Sequence, residues 1–163
     1  MRKFVGLILF LCLWTLPAKA QDYSKGEAFV GYQYTHANGP DLNGWNGALT
    51  YNLKDWLGVT ADLSGTYGTG AKLHTFLFGP TLPVNKLKTD TFRPFAHVLF
   101  GGAIASDGVS SGAFAVALGG GLDVKVSERL SARLPQADWM LFRSSGNTTT
   151  KNARLSFGLV YRF

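Results

Sequence analysis

Apolar and polar positions alternate with a period of two along most of the chain after residue 20. The clearest case is the segment 43–53, in which Trp45, Leu49 and Tyr51 share one parity and small or polar residues occupy the other. Alternation at this period predicts a β-strand with a different environment on each face. Eight such segments follow one another, at residues 27–35, 43–53, 57–67, 72–81, 92–105, 113–125, 130–143 and 152–163.

The segments between these strands are of hairpin length and rich in Gly, Asn, Asp, Ser and Pro, which favour turns. Without a crossover segment, the series predicts an all-β fold, an eight-stranded antiparallel up-and-down transmembrane β-barrel. We expect both chain ends at the periplasmic side. The outward connections would then be 36–42, 68–71, 106–112 and 144–151, and the periplasmic ones 54–55, 82–91 and 126–129.

Two of the strands depart from simple alternation. In the seventh strand, the apolar residues have even residue numbers before Pro135 and odd residue numbers after it. Because proline has no amide donor for the ladder and occurs at bulges, we expect a bulge there. Arg133 and Asp138 are an odd number of positions apart, so a regular strand would place them on opposite faces. With the bulge, both would point into the barrel. The fourth strand has apolar residues on both faces, so its orientation stays open.

Residues 1–20 have the features of a secretory signal peptide. Arg2 and Lys3 precede an apolar run at 4–16, and the small-x-small pattern of 18–20 predicts cleavage before Gln21. This leaves residues 21–163 as the barrel. Cleavage would remove three of the sixteen basic residues and no acidic one, so the formal net charge falls from +6 to +3. A nucleic-acid partner is therefore not expected. The only cysteine, Cys12, would leave as well.

Composition and the nature of the polar face favour a membrane barrel over a soluble secreted barrel that binds a small ligand. Only 16% of residues are charged, against about 25% in soluble domains. The polar parity is made mainly of small residues, which suit a narrow interior better than a solvated surface. Aromatic residues cluster near strand ends, where rings favour the membrane interface; these are Tyr34, Trp45, Tyr51, Tyr67, Trp139 and Tyr161.

The last nine residues, LSFGLVYRF, resemble the C-terminal signal of bacterial outer-membrane barrels, with apolar residues at Leu155, Phe157, Leu159, Tyr161 and Phe163. Together with GPTL, PFAHVLFGG and ALGGGLDVKVSERLSARL, they make the chain resemble the small eight-stranded outer-membrane family of the OmpA transmembrane domain and OmpX. The resemblance implies a Gram-negative outer membrane, contact with its lipid and lipopolysaccharide, and recognition of the final strand by the barrel-assembly machinery. A monomer is expected.

Charged residues of both signs fall on the inward parity, at Glu27, Asp62, His97, Asp123, Arg133, Asp138, Arg154 and Arg162. Hairpin pairing places Asp123 beside Arg133 and Asp138 near Arg154, and barrel closure places Glu27 near Arg162. Buried charges are tolerated only when they are paired. The sequence therefore predicts a lumen plugged by a polar network, with at most a very small pore. The predicted role is structural or surface-interacting.

The alternative is a barrel enzyme that acts on outer-membrane lipid or lipopolysaccharide. A deacylase would need a serine activated by a histidine and a carboxylate. None of the three histidines, His36, His74 and His97, has a serine two positions later, where a strand would place it on the same face. Scattered histidines without cysteine also predict no metal site. We therefore expect no enzymatic activity and no cofactor.

Overall fold

A computed structural model describes residues 24–37, 41–68, 70–87, 89–107, 109–144 and 146–163, so the predicted signal peptide and its cleavage site lie outside the described residues. The strands are β1 Gly26–Ala37, β2 Asp41–Lys54, β3 Leu57–Tyr67, β4 Lys72–Pro83, β5 Phe92–Asp107, β6 Val109–Lys125, β7 Leu130–Ser144 and β8 Asn147–Arg162. A short 3-10 helix, Asn85–Leu87, lies between β4 and β5. In the described part of the chain, no helix is long and apolar enough to cross a membrane.

The eight strands form one closed antiparallel barrel in sequence order, which confirms the predicted fold class. Closure is made by β1, which pairs with β2 on one side and with β8 on the other. Because every strand has two neighbours, the barrel has no free sheet edge along its wall. We call the end with the β1–β2, β3–β4, β5–β6 and β7–β8 connections the outer end, and the opposite end, with Phe163, the inner end.

Three of the four outer connections are shorter than expected: the predicted extents 36–42, 106–112 and 144–151 are wrong, and 68–71 is confirmed. Strands β5 and β6 stay paired up to Asp107 and Val109, and β8 already begins at Asn147. Ladder hydrogen bonds join backbone groups, so pairing continues where the side chains are all small or polar. Alternation disappears there although the strands persist.

The orientation of β4, which the sequence left open, is settled by burial. Leu73 and Leu77 are buried inside the barrel, while Phe76 and Phe78 are more than half exposed on its outer surface. A narrow eight-stranded interior leaves little room for side chains. The phenylalanine rings therefore face outward and the smaller leucines face inward.

The bulge predicted at Pro135 is confirmed. The register of β7 shifts by one between Arg133 and Gln136 against β8, and a matching shift occurs against β6. Leu134 and Pro135 are consecutive exposed residues, so the buried parity changes from odd to even at this point. As a result Arg133 and Asp138 both lie in the lumen, where they are 7% and 3% exposed.

Apolar side chains fill part of the lumen and were not included in the predicted polar network. One cluster, toward the outer end, contains Leu42, Leu73, Leu77, Leu99, Ala103, Ala115, Ala117 and Met140. A smaller cluster contains Phe29, Ala48 and Val160. The lumen therefore has an apolar part near the outer end and a charged part toward the inner end.

Candidate functional site

The most elaborate side-chain arrangement is the charged part of the lumen. All eight charged or titratable residues assigned to the inward parity face the interior, and all but the half-buried Glu27 are buried. They form two groups. The inner group is Glu27, Asp123, Arg133 and Arg162, and the middle group is Asp62, His97, Asp138 and Arg154.

In the inner group, two arginines share one carboxylate. Arg133 donates from Nε to Oδ1 of Asp123 at 2.7 Å and from Nη2 to Oδ2 at 3.1 Å. Arg162 donates from Nη2 to Oδ2 of Asp123 at 2.7 Å and from Nε to Oε1 of Glu27 at 3.3 Å. A further bond runs from Arg162 to the hydroxyl of Ser131. The pairs Asp123–Arg133 and Glu27–Arg162, named from the sequence, are thus in contact.

In the middle group, one arginine joins two carboxylates. Arg154, which is fully buried, donates from Nε to Oδ2 of Asp138 and from Nη1 to Oδ1 of Asp62, both at 2.7 Å. His97 Nε2 lies 2.7 Å from Oδ1 of Asp138. Asn46 donates to Oδ2 of Asp62 at 2.9 Å. The third pair named from the sequence, Asp138–Arg154, is therefore present within a larger cluster.

Gln136 connects the two groups and was not predicted. Its Oε1 accepts from Nη1 of Arg133 at 3.1 Å, and its Nε2 donates to Oδ2 of Asp138 at 3.0 Å. The signal was available in the sequence, because the bulge at Pro135 places Gln136 on the same parity as Asp138. With this residue the hydrogen bonds run without interruption from Asp62 to Glu27.

Two phenylalanine rings enclose the guanidinium of Arg133. Its Cζ lies 4.7 Å from the ring centroid of Phe29 and 4.2 Å from that of Phe95. Glycines make room for the rings: a Cβ at Gly158 would lie 2.9 Å from Phe29, and one at Gly121 would lie 2.9 Å from Phe95. Cation–π contacts of this kind add to the ion pair and hold the guanidinium in place.

Gly119 makes the contact between His97 and Asp138 possible. It lies on β6, directly between them in the register of β5, β6 and β7. A Cβ at Gly119 would lie 2.2 Å from Oδ1 of Asp138 and 2.2 Å from the carbonyl oxygen of Ala137. The missing side chain therefore opens the path along which His97 reaches across β6.

The aromatic residues expected at the membrane interface all face outward. Tyr34 is half-buried, and its hydroxyl donates to Oδ1 of Asp41 at 2.8 Å. The other five are 44–58% exposed; they are Trp45, Tyr51, Tyr67, Trp139 and Tyr161.

The five apolar residues of the expected assembly signal also face outward, four on β8 and Phe163 directly after it, at 37–49% exposure. The rings of Tyr161 and Phe163 stack with centroids 6.4 Å apart. Backbone bonds of 3.0 and 2.9 Å join Gly26 and Phe163, so the last residue takes part in closing the barrel against β1.

The histidines lie apart from one another. His36 Nδ1 lies 2.8 Å from Oδ1 of Asp41 at the outer end, His74 lies edge-on to Tyr67 on the outer surface, and His97 is in the lumen. No serine hydroxyl is hydrogen-bonded to any of them within the described residues. Over the same part of the chain, no group of three or more His, Cys, Asp or Glu side chains is placed to hold a metal ion.

Comparison with known proteins agrees with this architecture. Residues 6–163 match the family described as the outer membrane protein β-barrel domain. The chain belongs to this family. Membership of this family indicates the bacterial outer membrane as the location of the protein. No curated protein matches the chain.

Several solved structures share the family's fold. Neisserial surface protein A superposes with a TM-score of 0.63 at 13% identity, over 85% of this chain and 96% of its own. The N-terminal barrel of Pseudomonas aeruginosa OprF superposes with a TM-score of 0.61 at 14% sequence identity. The match covers 86% of this chain and 98% of the OprF barrel. The attachment invasion locus protein Ail of Yersinia pestis superposes with a TM-score of 0.56 at 16% sequence identity. The match covers 86% of this chain and 99% of Ail. At these identities the likeness shows the fold alone.

Proposed function

We propose that the protein is a structural or surface-interacting outer-membrane barrel whose lumen is closed to solutes. The observation that carries this proposal is the continuous chain of hydrogen bonds from Asp62 to Glu27, which crosses the interior through Arg154, Asp138 and Arg133. Each of these charged groups is held by at least one partner of opposite charge. Moving any of them aside to admit a solute would leave a buried charge unpaired, which is costly.

The apolar cluster toward the outer end supports the same proposal. Leu99 is fully buried, and Leu42, Leu77 and Met140 are at most 3% exposed. Close-packed apolar side chains leave no hydrated path, and apolar constrictions exclude ions by dewetting. The lumen would thus be closed twice, by apolar packing near the outer end and by ion pairs nearer the inner end.

Planar-bilayer recording tests the closed lumen. We expect the purified protein to give no large, stable conductance, because the ion pairs and the apolar cluster would together block the lumen. Such a conductance from the wild type would refute the proposal. If Arg133→Ala or Asp123→Ala alone produces conductance, the ion pairs are the barrier. If conductance needs the further change Leu77→Ser, the apolar cluster is the barrier.

A role without catalysis fits the histidine environments. Nε2 of His97 faces the carboxylate of Asp138, and among the described residues no serine hydroxyl is bonded to either ring nitrogen. His36 is paired with Asp41 on the outer surface, at 55% and 58% side-chain exposure, and no serine contacts it within the described residues. We therefore propose an anchor that presents its outer end, in contact with outer-membrane lipid and lipopolysaccharide, and no hydrolase.

We also propose that the barrel-assembly machinery recognises the final strand and that Phe163 contributes to recognition more than to stability. Its ring is 47% exposed, so the folded barrel loses little packing without it. We expect Phe163→Ala to lower the amount of protein in the outer membrane severalfold while the inserted fraction stays resistant to unfolding. Immunoblots of outer-membrane fractions, with unboiled samples for folding, measure both. Unchanged outer-membrane levels would contradict the proposal.

A further inference from the structure

Arg93 is a lumen-facing cation that the sequence pattern did not single out. It is the second residue of β5, at the inner end, and lies opposite Asp123 in the register with β6. Its side chain is half-buried. Its Nε is buried and has no hydrogen-bond partner within the described residues.

The carboxylates near Arg93 are engaged elsewhere. Asp123 accepts three hydrogen bonds from Arg133 and Arg162. Glu27 accepts from Arg162 and Asn52 through Oε1, both at 3.3 Å. Across the described residues, no salt bridge joins Arg93 to a carboxylate. Glu27, Asp123 and the exposed Asp90 all attract Arg93 electrostatically, but none of them is bonded to it among the described residues.

The inner end of the lumen therefore has an excess of positive charge. Three guanidinium groups, those of Arg93, Arg133 and Arg162, face two carboxylates. Arg162 bonds to the carboxylate of Asp123, which lies directly opposite Arg93 in the register, so the two cations border the same carboxylate. A half-buried cation beside a second cation is stabilised by an anion, and a guanidinium forms paired N–H···O bonds best with planar or tetrahedral oxyanions.

We propose that the inner mouth of the barrel binds a phosphate-type oxyanion at Arg93, with Arg162 as the second positive charge. The oxyanion is either inorganic phosphate or the phosphate of an anionic phospholipid headgroup. The mouth is accessible, because the Glu27 side chain beside Arg162 is 20% exposed. Phe92, which precedes Arg93, is 46% exposed on the outer surface, so the same strand end also borders the lipid. The proposal holds whether or not the lumen conducts.

Two binding measurements on the folded, purified protein test the site and identify the source of the phosphate. Calorimetric titration with inorganic phosphate at fixed ionic strength measures the free anion. Association of spin-labelled phosphatidylglycerol, relative to spin-labelled phosphatidylcholine, in phosphatidylcholine vesicles measures the headgroup. Arg93→Gln removes the cation, and Lys125→Gln removes an exposed charge at the same end of the neighbouring strand β6 as a matched control.

We expect Arg93→Gln to weaken binding about tenfold or more, as is typical when a charged hydrogen-bond donor is lost. Lys125→Gln should change it by less than about twofold, since exposed charges act weakly. Arg93-dependent binding of inorganic phosphate identifies a free oxyanion site. Arg93-dependent selectivity for phosphatidylglycerol alone identifies the headgroup.

The absence of both, or an equal loss in the two variants, overturns the proposal. Migration of unboiled samples shows whether each variant is folded. If Arg93→Gln does not fold, Arg93→Lys keeps the charge but loses the paired geometry, so binding should weaken severalfold; unchanged binding in that variant would also overturn the site.

Discussion

Replacing Arg154 by alanine is expected to destabilise the folded barrel by about 3–5 kcal/mol, the usual cost of removing one partner from a buried ion pair. Arg154 is fully buried and bonds to Asp62 and Asp138 at 2.7 Å each. Without it, Asp62 and Asp138 lose their shared arginine, and His97 contacts only Asp138 among the described residues. Equilibrium unfolding in urea, followed by the migration of unboiled samples, measures the change in free energy.

Two control variants show whether the destabilisation comes from the buried ion pairs of Arg154 and not simply from removing an arginine side chain. Arg143→Ala removes an exposed arginine near the outer end of β7 and should change stability by less than about 0.5 kcal/mol. Adding Asp62→Asn and Asp138→Asn to Arg154→Ala removes the two unpaired charges, so part of the lost stability should return. If Arg154→Ala were as mild as Arg143→Ala, the ion pairs of the middle group would not stabilise the barrel.

Gly119→Ala is expected to destabilise the barrel by about 2–4 kcal/mol, because the new methyl group overpacks the wall and disrupts a charge-assisted hydrogen bond. The added Cβ would lie 2.2 Å from the carbonyl oxygen of Ala137, which belongs to the backbone and cannot rotate away. It would also lie 2.2 Å from Oδ1 of Asp138, the atom that His97 contacts. Urea unfolding again gives the free energy.

Gly102→Ala is the matched control for this substitution. Gly102 is also in a central stretch of strand, on the neighbouring β5, but nothing lies within 4 Å of its Cβ position. Its replacement should change stability by less than about 0.5 kcal/mol or stabilise slightly, since alanine loses less conformational freedom than glycine. Equal effects of the two substitutions would mean that the space over Gly119 is not needed for the contact between His97 and Asp138.

The sequence predicted correctly those features that depend on one strand or on two neighbouring strands. Alternation and hairpin-length connections determined the number and order of the strands, and the small residues of the polar parity identified the inward face of every strand except β4. The same reasoning placed the bulge at Pro135, because a shift in parity is visible along a single strand. It misjudged the outer connections, where small polar residues continue the ladder without an alternating pattern.

The contacts of the charged residues also divide into those between neighbouring strands, which were predicted, and those between distant strands, which were not. The three ion pairs named from the sequence, Asp123–Arg133, Asp138–Arg154 and Glu27–Arg162, each join neighbouring strands, where hairpin register or closure sets the distance. The missed contacts between two charged or titratable side chains join strands that are not neighbours: Asp62 on β3 with Arg154 on β8, His97 on β5 with Asp138 on β7, and Asp123 on β6 with Arg162 on β8.

The sequence by itself thus determined the barrel wall and the contacts between adjacent strands, since period-two alternation and short turns fix both. Only the tertiary structure decided which side chains meet across the lumen and that an apolar cluster fills its outer part. It also decided that no carboxylate of the described residues is bonded to Arg93. The physical reason is curvature. Closing eight strands into a narrow barrel brings inward side chains of distant strands within bonding distance, and glycines such as Gly119 set which of them can reach each other.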